Sequence, residues 1–228
     1  MREYSLNGQQ SLDAVLAPRH AKALGAAGRA RSFATGEFIC RQGDGARDVY
    51  LLKRGSVKTV MSNSAGQEAL LRIHLPGSLL GLIALTANNV RDVSLIALEA
   101  CDVVVIARDA LIDLLRGDGD FALHVIRLVL ERTRDFHARV AELSNDRVEQ
   151  RLARALLSLS RPDPEDGSAT GHAIALTHEE LAQWINSRRQ TVTAALSRLA
   201  LAGIIARSEH RIVIADRARL TQLLSAGA

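Results

Sequence analysis

The residues best equipped for chemistry lie near the end of the chain, where Ser187, Arg188, Arg189 and Gln190 precede Thr193, Ala194, Ser197 and Arg198. At helical spacing these side chains share one face, opposite Val192, Ala195, Leu196 and Leu199. A guanidinium can grip O6 and N7 of guanine, and a carboxamide N6 and N7 of adenine, each through two hydrogen bonds in the major groove. Arg189 and Gln190 stand in the first turn, the end that a recognition helix inserts. Hydroxyls and a helix N-terminus suit phosphate oxygens, which adds Thr177, Ser187, Thr193 and Ser197 as candidates. The segment is also basic. From Leu181 to Arg219, seven arginines (188, 189, 198, 207, 211, 217 and 219) face Glu209 and Asp216, a local excess of +5 in a chain whose whole charge is +4. Such an excess suits a phosphate backbone, although a solvated basic face has the same composition.

Those residues need a scaffold, and the flanking sequence supplies one. Thr177-His178-Glu179-Glu180 has the form of a capping box. It predicts a helix with Leu181, Trp184 and Ile185 inward, ending near Asn186, a residue type that tolerates the left-handed conformation a tight turn needs. Ser187-Arg188-Arg189-Gln190 reads as a second capping box, opening a helix that Gly203 terminates. Ile204 to Ala206 and Ile212 to Ile214, joined through Ser208, Glu209 and His210, read as a hairpin wing.

Upstream, Phe121 to Leu143 lacks Gly and Pro and predicts a rod about 35 Å long. Val125, Val129, Phe136, Val140 and Leu143 fall near a coiled-coil seam, which Arg132 and Arg139 interrupt. The first half of the rod is apolar nearly all round, so it needs cover on two sides. Its own β-domain and a second copy of the helix would supply it; another internal cover in a monomer is the alternative. Asp118 or Asp120 can cap this helix, and Ser144-Asn145-Asp146 interrupts it. Asp146 with Glu149 reads as the start of a further helix over 147–160, and 161–170 as an exposed loop.

Between Phe33 and Ile106 the period shortens. Phe38-Ile39, Val49 to Leu52, Val57 to Met61, Leu70 to Ile73 and Val103 to Ile106 are separated by glycine-bearing turns, as in an all-β sandwich, roll or barrel. One or two short helices precede it in 12–30, and a short helix follows over 108–116. The class is α+β, divided as 1–117, 118–145 and 146–228.

Hydrophobic residues make up 47% of 228, enough for a real core. No apolar run is long enough to cross a bilayer, and Met1 to Gln10 lacks a signal core, so a cytoplasmic protein is expected. Cys40 and Cys101 are too few for a disulfide scaffold or a metal cluster and read as core thiols. No G-x-S-x-G, P-loop, H-E-x-x-H or Cys-His arrangement supports an enzyme, and Gly117 to Asp120 lacks the ligand spacing of a calcium loop. A module that regulates a protein partner, with a degenerate winged helix, is the remaining rival.

Arg41-Gln42-Gly43-Asp44, Val49 to Val57, Leu75-Pro76-Gly77 with Gly81, Leu176 to Ala182 and Arg189 to Val192 together resemble the cyclic-AMP receptor protein / fumarate-nitrate reduction regulator (CRP/FNR) family over about residues 30–216. The resemblance implies an N-terminal jelly-roll-like double-stranded β-helix, a long dimerisation helix and a C-terminal winged helix-turn-helix. It also implies a homodimer, double-stranded DNA with a palindromic promoter site, and contact with RNA polymerase.

The departures bear on the effector. Cyclic-nucleotide members of the family place Gly-Glu against the ribose and Arg-Ser against the cyclic phosphate. Here Gly81-Leu82 and Arg91-Asp92 stand there. Leu82 cannot accept a hydroxyl, and Asp92 puts an anion beside an anion, a repulsion of about 1–4 kcal/mol at 4 Å. Phe136 and His137 replace the small hydroxyl residues that meet the base. Weak or absent cyclic AMP binding is expected, with Arg91 pairing with Asp92 to close the pocket; Arg91 and Arg132 are the groups that would still hold the nucleotide if it binds. Haem is not expected from His74, His124 and His137, because an isolated imidazole more often packs or caps. Redox sensing by Cys40 or Cys101 has only Arg41 nearby as an activating group. No cofactor is required; the effector is an unidentified small molecule or none. On the DNA side, Thr193 and Ala194 replace mid-helix arginines, and Gln190 stands where Glu usually accepts from cytosine, so an altered half-site is expected.

Overall fold

A computed structural model describes residues 16–87, 90–162, 172–208 and 211–224. They fall into two compact units, one ending at Thr133 and one beginning at Arg134.

The first unit opens with α1 (Pro18–Ala27) and continues through eight strands: β1 (Arg29–Phe33), β2 (Phe38–Cys40), β3 (Asp48–Arg54), β4 (Val57–Ser62), β5 (Glu68–His74), β6 (Leu79–Leu80), β7 (Ser94–Ala97) and β8 (Cys101–Ala107). They form two antiparallel sheets, in the orders β1-β8-β3-β6 and β2-β7-β4-β5. A 3-10 turn (Leu82–Leu85) follows β6, and α2 (Arg108–Gly117) follows β8. The first sheet is covered on both faces. Tyr50, Leu52, Val103 and Val105 point between the sheets, with Phe33, Ile39, Val57 and Leu95. Val49, Leu51, Val104 and Ile106 point the other way, against Leu24, Leu111, Phe121, Val125 and Leu128 of the helices. Burial on both faces is why Val49 to Leu52 and Val103 to Ile106 are continuous apolar runs rather than alternating ones. The expected strands are present. β1, β6 and β7 were not foreseen: β1 is an edge strand whose only buried side chain is Phe33, so it offers no alternation to read.

Helix α3 (Gly119–Asn145) begins at Asp118, whose carboxylate accepts from the Phe121 N–H at 3.0 Å. It has 27 residues, about 40 Å of rod. The division between the two units falls inside it. Val125 is a correction to the seam: it is only 6% exposed and packs with Phe121 and Leu128 on the core of its own unit. The face left to solvent carries Leu123, Ile126, Val129, Leu130, Phe136, Val140 and Leu143. Arg132, which interrupts the seam, donates to the Leu79 carbonyl at 2.8 Å.

In the second unit α3 leads to α4 (Val148–Leu159). The expected Asp146–Glu149 start is corrected: Arg147 is the N-cap, and its N–H donates to the Gln150 amide oxygen at 2.8 Å. Helix capping needs the acceptor three residues on from the cap, which is Gln150. Asp146 instead pairs with Arg154 at 2.9 Å. Then come β9 (Arg161–Pro162), β10 (His172–Ile174), α5 (His178–Trp184), α6 (Arg189–Leu201), β11 (Ile205–Ser208), β12 (Arg211–Ile214) and α7 (Arg217–Gln222). The strands form one antiparallel sheet, β11-β12-β10-β9. The loop expected at 161–170 lies outside the described residues beyond β9.

Candidate nucleic-acid interface

Two short helices and a wing position the candidate base readers. At the start of α5 the Glu180 N–H donates to the Thr177 hydroxyl at 3.1 Å, and the Thr177 N–H donates to the Glu180 carboxylate at 3.0 Å. Both N-terminal donors are thus satisfied, as the sequence requires. Leu181, Trp184 and Ile185 are buried. The helix is shorter than the run to Asn186 had implied, because its last helical residue is Trp184. Asn186 then takes φ +49°, the only left-handed non-glycine among the described residues. That residue reverses the chain between α5 and α6.

The second capping box is corrected. Ser187 is tied back to α5 by its N–H, which donates to the Ala182 carbonyl at 2.9 Å. The N-cap of α6 is therefore Arg188, and no side chain caps the helix. Gln190 falls one position short of the place where a reciprocal bond would form. The consequence is chemical: the first N–H groups of α6 have no side-chain acceptor, and the positive end of the helix stays available to an anion.

The side chains of Arg188, Arg189 and Gln190 are exposed, with no hydrogen-bond or ion-pair partner among the described residues. Val192, Ala195 and Leu196 hold the other face of α6 in the core. Further along, the candidates are engaged within the unit. Thr193 Oγ1 lies 3.0 Å from His178 Nδ1, the Ser197 hydroxyl donates to the Thr193 carbonyl, and Arg198 pairs with Glu149 of α4 at 2.7 Å. Thr177 is likewise occupied by its cap. The leading end of α6 is thus free, and its trailing end is bound to its own unit. β11 and β12 pair from Ile205↔Ile214 to Ser208↔Arg211 to form the wing; Glu209 and His210 at its tip lie outside the described residues. His178, Glu149 and Arg139 were missed as partners of this site. Arg139 had a signal, since it breaks an apolar seam where a charge needs a reason.

The effector candidates divide differently. Arg91 is 3% exposed. Its backbone is held by the Arg41-to-Asp44 turn, where its N–H donates to the Asp44 carbonyl and its carbonyl accepts from the Gly43 N–H, each at 2.8 Å. Its guanidinium donates to the Gly81 and Asp48 carbonyls and to the Tyr50 hydroxyl. Gly81 takes φ +74°, and a Cβ there would sit 2.7 Å from Arg91 Nη1, so glycine is needed twice over. Pairing of Arg91 with Asp92 is corrected: Asp92 is exposed, and the terminal nitrogens of the guanidinium donate to carbonyls instead, while its Nε is buried without a partner among the described residues. Leu82 packs on the helix-side core. Phe136 and His137 belong to the second unit and are exposed.

Neither thiol is activated. Burial pushes Cys40 above its ordinary pKa despite the opposing pull of Arg91, and burial likewise raises Cys101. His74 is buried with Nε2 at 2.8 Å from the Thr59 hydroxyl. Among the described residues no cluster of His, Cys, Asp or Glu could hold a metal ion, and no helix is long and apolar enough to cross a membrane.

Comparison with known proteins agrees with this geometry. The cyclic nucleotide-binding domain family matches residues 30–118, and the Crp-like helix-turn-helix domain family matches residues 150–223. The transcriptional activator protein Anr of Pseudomonas protegens is 28% identical over 196 residues, covering 86% of this chain and 80% of that protein. The cyclic AMP receptor protein of Thermus thermophilus is 28% identical over 193 residues, covering 85% and 87%. A solved CRP-family transcriptional regulator from the same organism superposes with a TM-score of 0.73 at 28% identity, over 86% of this chain and 97% of that one. With both domain types present in that order along the chain, and relatives of the same kind matching most of its length, the chain belongs to the CRP/FNR family of transcription regulators.

Proposed function

We propose that the chain is a sequence-specific DNA-binding transcription regulator, not an enzyme, which acts as a homodimer on a palindromic promoter site and does not respond to cyclic AMP. The observation that carries this reading is the leading end of α6. An uncapped helix N-terminus, two exposed arginines and an exposed glutamine stand together beside a wing, with no competing partner among the described residues. Arg189 reads guanine, Gln190 reads adenine, and the free N–H groups with Arg188 take phosphate. Two copies are needed because one such helix covers a single half-site; the exposed apolar face of α3 is the surface on which they pair. RNA polymerase is the partner expected at a promoter.

Cyclic AMP insensitivity is supported by Arg91. A phosphate would have to reach a guanidinium that is 3% exposed and whose terminal nitrogens already donate to two backbone carbonyls and a phenol, with exposed Asp92 adding repulsion and Leu82 offering no acceptor.

Selection from a random duplex pool tests the DNA reading. A two-fold symmetric motif is expected, bound with an affinity that falls steeply as salt rises. Enrichment of no sequence would reject it. Titration calorimetry with cyclic AMP tests the second part; saturable heat at micromolar nucleotide would reject it.

A further inference from the structure

The turn that aims α6 is held by arginines from outside the helix pair. α5 ends at Trp184, and the chain passes through Ile185 and left-handed Asn186 before α6 begins. A helix end leaves carbonyls without internal partners. Here Arg139 of α3 donates to the Trp184 carbonyl, and its guanidinium also lies over the Trp184 ring, 4.3 Å from the centroid. Arg151 of α4 donates to the Ile185 carbonyl at 3.0 Å and to the Asp146 carbonyl at 2.8 Å. Arg154 joins Asp146 at 2.9 Å to Glu142 at 3.5 Å. The last turns of α3, the start of α4 and the α5–α6 turn are thus tied by charge-assisted bonds, all inside the second unit.

We propose that Arg139 is a positioning residue for the recognition helix: it transmits the setting of α3 to the turn that aims Arg189 and Gln190. The inference rests on the reading of α6 as the DNA-binding element. Arg139 shares its turns of α3 with Phe136, Val140 and Leu143, which lie on the exposed apolar face. Whatever covers that face fixes this part of α3, and Arg139 is bonded from there directly to the end of α5. Base readout depends on the angle at which a helix enters the groove, whereas attraction to phosphates does not. Removing the tie therefore lowers discrimination between sequences and leaves general DNA affinity intact.

The test uses the full chain with Arg139→Gln, the milder Arg139→Lys, and Arg134→Gln as a control that removes an exposed charge from the same helix. Trp184 is the only tryptophan in the chain, so its emission reports the contact itself. For Arg139→Gln, an altered emission spectrum is expected. Affinity for the selected site should fall about tenfold relative to Arg134→Gln, with affinity for random duplex within about twofold of that control. Arg139→Lys keeps the charge over the ring and should fall between Arg139→Gln and wild type, and it carries the test if Arg139→Gln does not fold. Unaltered emission overturns the proposal, as does altered emission with an unchanged ratio of specific to random affinity, which would make Arg139 a helix cap alone. If the wild-type chain prefers no sequence, the reading of α6 fails first, in an arm that involves no variant, and the proposal falls with it.

Discussion

Arg91 and Arg189 carry the same charge and are used in opposite ways. Arg91 lies inside the β-domain, where its two terminal nitrogens donate to two carbonyls and a phenol while its buried Nε has no partner among the described residues. Arg189 stands at the open end of a helix with no partner among the described residues. A guanidinium is free to recognise a ligand only when its own fold does not already satisfy it. By that measure the first unit holds most of the donors of Arg91 within its own fold, and the second leaves the side chain of Arg189 exposed.

Substitutions at four residues can break or sharpen that contrast. Arg91→Ala should do most, because it strips partners from buried carbonyls; a loss of about 2–4 kcal/mol in urea unfolding followed by circular dichroism is expected. A loss below about 1 kcal/mol would mean that those carbonyls find water and that the arginine is not structural. Arg189→Ala should leave folding stability within about 0.5 kcal/mol and instead cost roughly 1–3 kcal/mol of specific DNA affinity, with one base position relaxed in the selected motif. An unchanged motif would remove Arg189 from the base-reading set. Asn186→Ala should cost about 1 kcal/mol in thermal or urea unfolding, while Asn186→Gly stays close to wild type, because only the left-handed backbone is at stake. Equal effects of the two would point to the side chain instead.

The smallest effect concerns Glu142. Burial raises its carboxyl above the ordinary range, Arg154 and Arg139 pull it back, and Asp146 adds to the rise. The folded chain then holds this proton more tightly than the unfolded chain, so its contribution to stability is lost as pH rises through the window just above the usual carboxylate pKa. Glu142→Gln cannot make that transition, so its melting temperature minus that of wild type should grow as pH is raised across that window. A difference that shrinks instead would mean that the arginines outweigh burial.

Much of this contrast was legible in the residues. Periodicity marked α3, α5 and α6, and Asn186 and Gly203 marked their turns, since a left-handed backbone restricts residue type strongly. The exposure of Arg189 and Gln190 was legible too, because a polar helix face needs no tertiary information to be placed in solvent. What escaped were the contacts made across the chain. Capping at Ser187 looked correct locally, but the bond of Ser187 to Ala182 moved the helix start by one residue. The seam assignment of Val125 failed because a helix apolar on all sides does not say which side its own core will take. Arg91 was expected to find its sequence neighbour Asp92; carbonyls 10 and 43 residues away won, since burial leaves the backbone as the nearest acceptor.

The wet apolar strip along α3 also bears on how much of this protein a cell must hold. If a symmetric pair is the species that grips a promoter and single chains are in equilibrium with it, the amount of pair rises as the square of free chain while single chains predominate. Promoter occupancy then responds more steeply than in proportion to copy number. A change in expression alone would throw the switch, with no small molecule needed to announce it.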